Sequence, residues 1–216
     1  MAEFKQITEK LGSTVNVNGL HVIELTTDEA GKPFAYGEYR HIRGSKDIKV
    51  DKDQETIENW GDGQVQEKAV MIGKYKLDVS AFAIPLDLKA WLAGHEVDED
   101  GFVTERGGVA APPAVGTFFM LERLNKDVEV VALTNGVFQV DGEEGKTAEE
   151  KTDFGATGMN GEFSQRLSDG ITGHKAVIKK DDKATLDKFL TKVFGKPAPD
   201  TAIPPSWAKP AVSPTV

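Results

Sequence analysis

The chain has 216 residues, of which 39% are hydrophobic, enough for one large domain with a sizeable core. Acidic residues outnumber basic ones 35 to 26, and the resulting net charge of −9 argues against a surface built to hold a phosphate backbone. With no cysteine, disulfide frameworks, zinc ribbons and thiol nucleophiles are all excluded. The longest uncharged stretch, 107–121, is shorter than the ~20 apolar residues of a membrane span and contains Pro112 and Pro113. The N-terminal Met1-Ala2-Glu3-Phe4-Lys5 lacks the apolar run of a signal peptide, so the expected location is inside a cell.

Residues 1–18 are polar, with Phe4, Ile7 and Leu11 spaced at three and four, and read as an extended or partly helical arm. A first strand spans 20–26 and a second 34–42, separated by the turn-rich Asp28 to Pro33. A third, 47–53, alternates Ile48 and Val50 with lysines. Residues 54–66 carry Glu55, Glu58, Asp62 and a lone large apolar group, Trp60; they read as a long loop. The strand expected over 67–82 has apolar residues on both parities, Val70 and Ile72 on one, Met71, Leu77 and Val79 on the other.

A Pro-initiated helix is predicted over 85–94, with Gly94 as its left-handed stop. Residues 98–108 form an acidic turn region, with a small hairpin around Gly101. Strands follow at 115–124, 128–134 and 137–140, the last two joined by Asn135-Gly136, a strong hairpin signal. After the acidic stretch 141–153, strands are expected within 154–167 and at 175–179. A second helix covers 182–194, capped by Asp181 or Asp182 and ended by Gly195. The tail 196–216 holds six prolines and is assigned to an arm outside the core. The domain reading is therefore an arm (1–18), a β-sandwich (19–195) and a Pro-rich tail (196–216).

No catalytic constellation is visible. His21, His41, His95 and His174 have no local metal-pair spacing. There is no Gly-x-Ser-x-Gly elbow and no phosphate-binding glycine loop with its Lys-Ser/Thr. The acidic clusters at 98–100 and 143–144 sit in turns, where carboxylates are normally solvated. The expectation is a non-enzyme with no metal and no cofactor.

The order of elements is more informative. Three stretches carry it: GSKDIKVDKDQETIENWGDG (44–63) leading to the Gly73–Leu77 strand; the Ile84–Gly94 helix running into an acidic turn; and the strands up to Val140, followed by Lys146–Thr152. In these the chain resembles the major tail proteins, or tail tube proteins, of long non-contractile-tailed bacteriophages. The Pro-rich tail and the glycine-rich 155–161 depart from that pattern.

The resemblance implies a mainly β fold, a sandwich or barrel flanked by the 85–94 helix. It implies a structural virion protein, found in the host cytoplasm before assembly, whose rings, commonly hexameric, stack into a tube that passes DNA without specific binding. Its implied partners are itself, a tape-measure protein, a tail terminator and tail-tip or baseplate proteins. Phe4, Ile7, Leu11, Glu55, Glu58, Trp60 and Asp62 are the candidate subunit contacts. Two alternatives stand beside this reading: a tail terminator or contractile-injection tube protein, and a soluble β-sandwich module binding glycans.

Overall fold

The computed structural model describes residues 13–61, 64–82, 84–105, 108, 111–140 and 157–207. Its strands are β1 (Thr14–Thr27), β2 (Ala35–Ile42), β3 (Ser45–Gly61), β4 (Gln64–Ala81), β5 (Glu96–Val97), β6 (Val103–Thr104), β7 (Val115–Arg123), β8 (Val128–Val140), β9 (Thr157–Ser164) and β10 (Gly173–Ile178). Helix α1 spans Leu86–Ala93 and α2 spans Lys183–Phe194, with short 3-10 turns at Asp200–Ala202 and Pro205–Trp207. The protein is mainly β, as expected. One large antiparallel sheet runs β2-β1-β7-β8-β9-β4-β3, with β10 alongside the first half of β8.

β2 and β3 are the two ends of that path, yet only Arg43 and Gly44 separate them in the chain. A two-residue link reaches only about 10 Å, so the sheet must roll until its ends meet. Gly44 makes the corner at φ 72°, and its carbonyl accepts a 2.9 Å bond from the Phe82 amide. The roll brings Leu20 and Val22 of β1 into the same core as Leu77 and Val79 of β4, with Phe119, Leu133, Phe138 and Phe163 between them. Helix α1 adds Leu88 and Leu92 to this interior.

Strand alternation sends the neighbouring side chains the other way. Ile23, Phe118, Met120, Val130, Ala132 and Ile178 form a second core on the outer face, under Leu186, Leu190, Val193 and Phe194 of α2. Buried Arg166 ties the turn between β9 and β10 to this layer. It bonds Asp169, the Val193 carbonyl at 2.8 Å and the Tyr36 hydroxyl, and stacks 3.9 Å over Phe34.

Both helices sit within a residue or so of their expected bounds, each ended by a left-handed glycine, Gly94 and Gly195; Asp182 caps α2 by accepting from the Thr185 amide at 3.0 Å. The small hairpin around Gly101 is β5–β6, with Asp98 accepting from the Asp100 and Phe102 amides.

Four expectations are corrected. Residues 54–61 and 64–66 are strand, not loop, because β3 and β4 stay paired as far as Gly61 and Gln64. β1 begins at Thr14, inside the expected N-terminal arm. The Pro-rich tail does enter the core as far as Trp207: Ala198, Ala202 and Trp207 are buried against the outer layer, and the Trp207 indole donates to the Lys126 carbonyl at 3.0 Å. A strap of short 3-10 turns needs no strand ladder of its own, and its prolines stand where no backbone donor is required.

The fourth concerns Asn135-Gly136, which is no turn. β8 runs unbroken from 128 to 140 and changes partner at this point, from β10 (128–133) to β9 (135–140). Glycine is there for clearance: an added Cβ would lie 2.4 Å from the Phe163 ring and 2.5 Å from the Glu162 carbonyl. Gly136→Ala should therefore destabilise by about 2 kcal/mol, the scale of overpacking in a filled core. Urea unfolding measures it, and an unchanged midpoint would mean that the position has room for a side chain.

Candidate functional site

The rolled sheet leaves one part of itself behind. β4 pairs with β9 only from Tyr75 to Ala81, and Tyr75 lies opposite Lys52 of β3. Beyond that pair, among the described residues, β3 and β4 continue as a two-stranded ribbon, 53–61 against 64–74, roughly 30 Å long. A free two-stranded hairpin is marginal in water, and it gains stability only when a face is covered.

Cross-strand register assigns its two faces. Gln54 and Ile72, Thr56 and Val70, and Glu58 and Lys68 are opposed on one; Glu55 and Met71, Ile57 and Ala69, and Asn59 and Glu67 on the other. Each face therefore carries exposed apolar groups, Val70 and Ile72 on the first, Ile57 and Met71 on the second. Val70 is 61% exposed, and Trp60, near the tip opposite Val65, is 64% exposed. Apolar groups gathered on both sides of a slender projection mark a contact surface.

The structure places Glu55, Glu58 and Trp60 together on this ribbon, where Glu58 forms a 2.6 Å salt bridge with Lys68. Phe4, Ile7, Leu11 and Asp62 lie outside the described residues. Sequence reasoning chose the acidic residues and Trp60 but missed Ile57, Val70, Met71 and Ile72. The signal was present in the apolar residues on both parities of one strand, but a sandwich with different neighbours at the two ends of that strand accounted for it equally well.

The histidines do not converge on a metal site, and no cluster of three or more potential ligands occurs among the described residues. Two of them do meet. His21 is fully buried, stacked on His41 at 4.4 Å and on Phe118 at 4.7 Å. Its Nδ1 lies 2.6 Å from the Gly19 carbonyl and therefore donates; its Nε2, 2.8 Å from Thr201 Oγ1, accepts the hydroxyl proton.

A cavity of about 290 Å³ adjoins this pair, lined in part by His41, Ser45 and Thr201. Burial pushes the His21 pKa down to about 4, assisted by the neighbouring His41 ring. Burial thus keeps the imidazole neutral, so Nε2 retains the lone pair that accepts the Thr201 proton, and the contact acts as a latch that fastens the C-terminal strap to β1. No family model and no curated protein matches the chain. Among the described residues, no helix is long and apolar enough to cross a membrane.

The latch has a pH signature. The unfolded His21 titrates near 6.5 and the folded one near 4, so between these values the unfolded state takes up a proton that the native state refuses. Stability should fall as pH drops from about 6.5 to 4, by on the order of 3 kcal/mol from this residue. His41, lowered by burial and by Arg43, adds a slope of the same sign. In denaturant titrations at several pH values, His21→Asn should show a shallower loss over that window. An identical pH profile would remove His21 from the account.

Proposed function

We propose that this chain is a self-assembling structural subunit, the tail tube protein of a long non-contractile phage tail. The observation that carries the reading is the projecting β3–β4 ribbon, whose two apolar-bearing faces have no covering layer among the described residues. A surface of that kind suits a subunit that is completed by its neighbours. Among the described strands, β2 and β3 each pair along one edge only, and association into rings would cover whatever length of the other edge the roll leaves open.

Net charge fits the same use. At −9, the subunit repels a DNA backbone, so duplex passing through a lumen built from such chains would slide rather than adhere. On this reading, its partners are other copies of itself, with a tape-measure protein, a terminator and tail-tip proteins at the ends, and its place is the virion. The glycan-binding alternative gains nothing from the cavity beside His41, whose lining contains neither tryptophan nor tyrosine.

Electron microscopy of the purified protein over a concentration series, with light-scattering mass on the same samples, tests the reading. Rings or hollow tubes are expected; a strict monomer throughout, even with a tail-tip initiator supplied, would contradict it. Trp60→Ala should raise the concentration needed for assembly by about tenfold, as for a buried aromatic anchor, and leave the circular dichroism and melting temperature of the monomer unchanged. Assembly indistinguishable from the unaltered protein would remove Trp60 from the contact.

A further inference from the structure

We infer that the ribbon of one copy docks, through the face bearing Glu55, Ile57, Met71 and Glu67, on the exposed stripe Lys175–Val177–Lys179 of a second copy, on the side of β10 away from α2. The inference rests on the self-assembly reading above and names its contact.

The acceptor stands out by charge. In a chain of net charge −9, residues 173–196 hold seven lysines against three aspartates. Lys183 is engaged by Asp187, and Lys196 by Glu38. Lys175, Lys179, Lys188 and Lys192 make no salt bridge among the described residues. On β10, His174, Ala176 and Ile178 turn toward α2 and the outer core, leaving Lys175 and Val177 on the opposite side. Val177 is exposed there, between two lysines and opposite Glu129, whose charge is met by Arg123 at 3.2 Å.

The ribbon face is its complement. Glu55 and Glu67 form no salt bridge among the described residues, unlike Glu58 on the other face. They bracket the apolar group of Ile57, Ala69 and Met71. Because Glu67 opposes Asn59, the two carboxylates are offset by four residues along the ribbon. A separation of four residues also divides Lys175, in β10, from Lys179, one residue past the end of the strand. At about 3.3 Å per residue both spacings are about 13 Å, so each carboxylate can meet a lysine while Ile57 meets Val177.

Within one copy the two surfaces do not pair. β4 leaves its ladder with β9 at Tyr75, and β10 is bonded only to β8 among the described strands. Donor and acceptor are thus different patches of the same chain. A contact of this head-to-tail kind propagates from copy to copy and closes into a ring when the rotation allows.

Charge reversal tests it. Glu55→Lys with Glu67→Lys, or Lys175→Glu with Lys179→Glu, should each raise the assembly concentration at least ~tenfold by placing like charges together. The quadruple variant should restore it. Melting temperatures confirm that each variant folds. A cysteine pair adds a geometric readout, since the chain has none of its own: Ile57→Cys with Val177→Cys, oxidised, should give a ladder of cross-linked copies.

If the unaltered protein assembles but neither reversal matters, or the cysteines join only within one chain, the contact is overturned and the assembly reading stands. If the unaltered protein never assembles, both fall.

Discussion

Arg43 and Gly44 join strands that lie at opposite ends of a seven-strand path, and so short a link can be made only if the sheet rolls up. Much of the molecule follows from that closure. Rolling turns one face of β1, β7 and β8 inward toward β4 and β9, which is why adjacent residues such as Val22 and Ile23, or Phe118 and Phe119, are all buried but in different cores. The outward face needs its own cover, and α2 and the strap up to Trp207 provide it. Gly136 serves the same geometry, since β8 has to pass from one partner to another where Phe163 leaves no space for a side chain.

The roll also has a remainder. β3 and β4 are longer than the sheet they complete, and the excess projects without a further paired strand among the described residues. A two-stranded ribbon with Val70, Ile72, Ile57 and Met71 exposed is poorly suited to life as a monomer and well suited to a neighbour. On the proposed assembly, the acidic bias of its second face and the lysines beside Val177 would make a second copy the occupant. Assembly would then stabilise the part of the fold that the fold itself leaves weakest.

Much of this was legible in the sequence where a local rule held without competition. Leu186, Leu190, Val193 and Phe194 at helical spacing, framed by Asp182 and Gly195, announced α2. Gly94 and the Ile48–Val50 alternation did the same for α1 and the base of β3. Errors arose where a residue had two uses. Asn135-Gly136 favours a hairpin, but glycine also permits close approach, and only the position of Phe163 decides between them. Polar residues at 54–66 looked like a loop because a solvated ribbon and a loop have the same composition; pairing with 64–72 is a long-range fact. Proline in the tail forbids a helix or a central strand, but not burial as a strap. The pairing of His21 with Thr201, 180 residues apart, had no sequence signal at all.

The most direct measurement of the central claim is hydrogen–deuterium exchange across 54–61 and 64–74 as protein concentration rises through assembly. The account predicts rapid exchange along the ribbon in dilute monomer, when β1, β7 and β8 are already protected, and strong protection of the ribbon once copies associate. Ribbon amides that stay fast in assembled material, or are as slow as the core in dilute monomer, would contradict it.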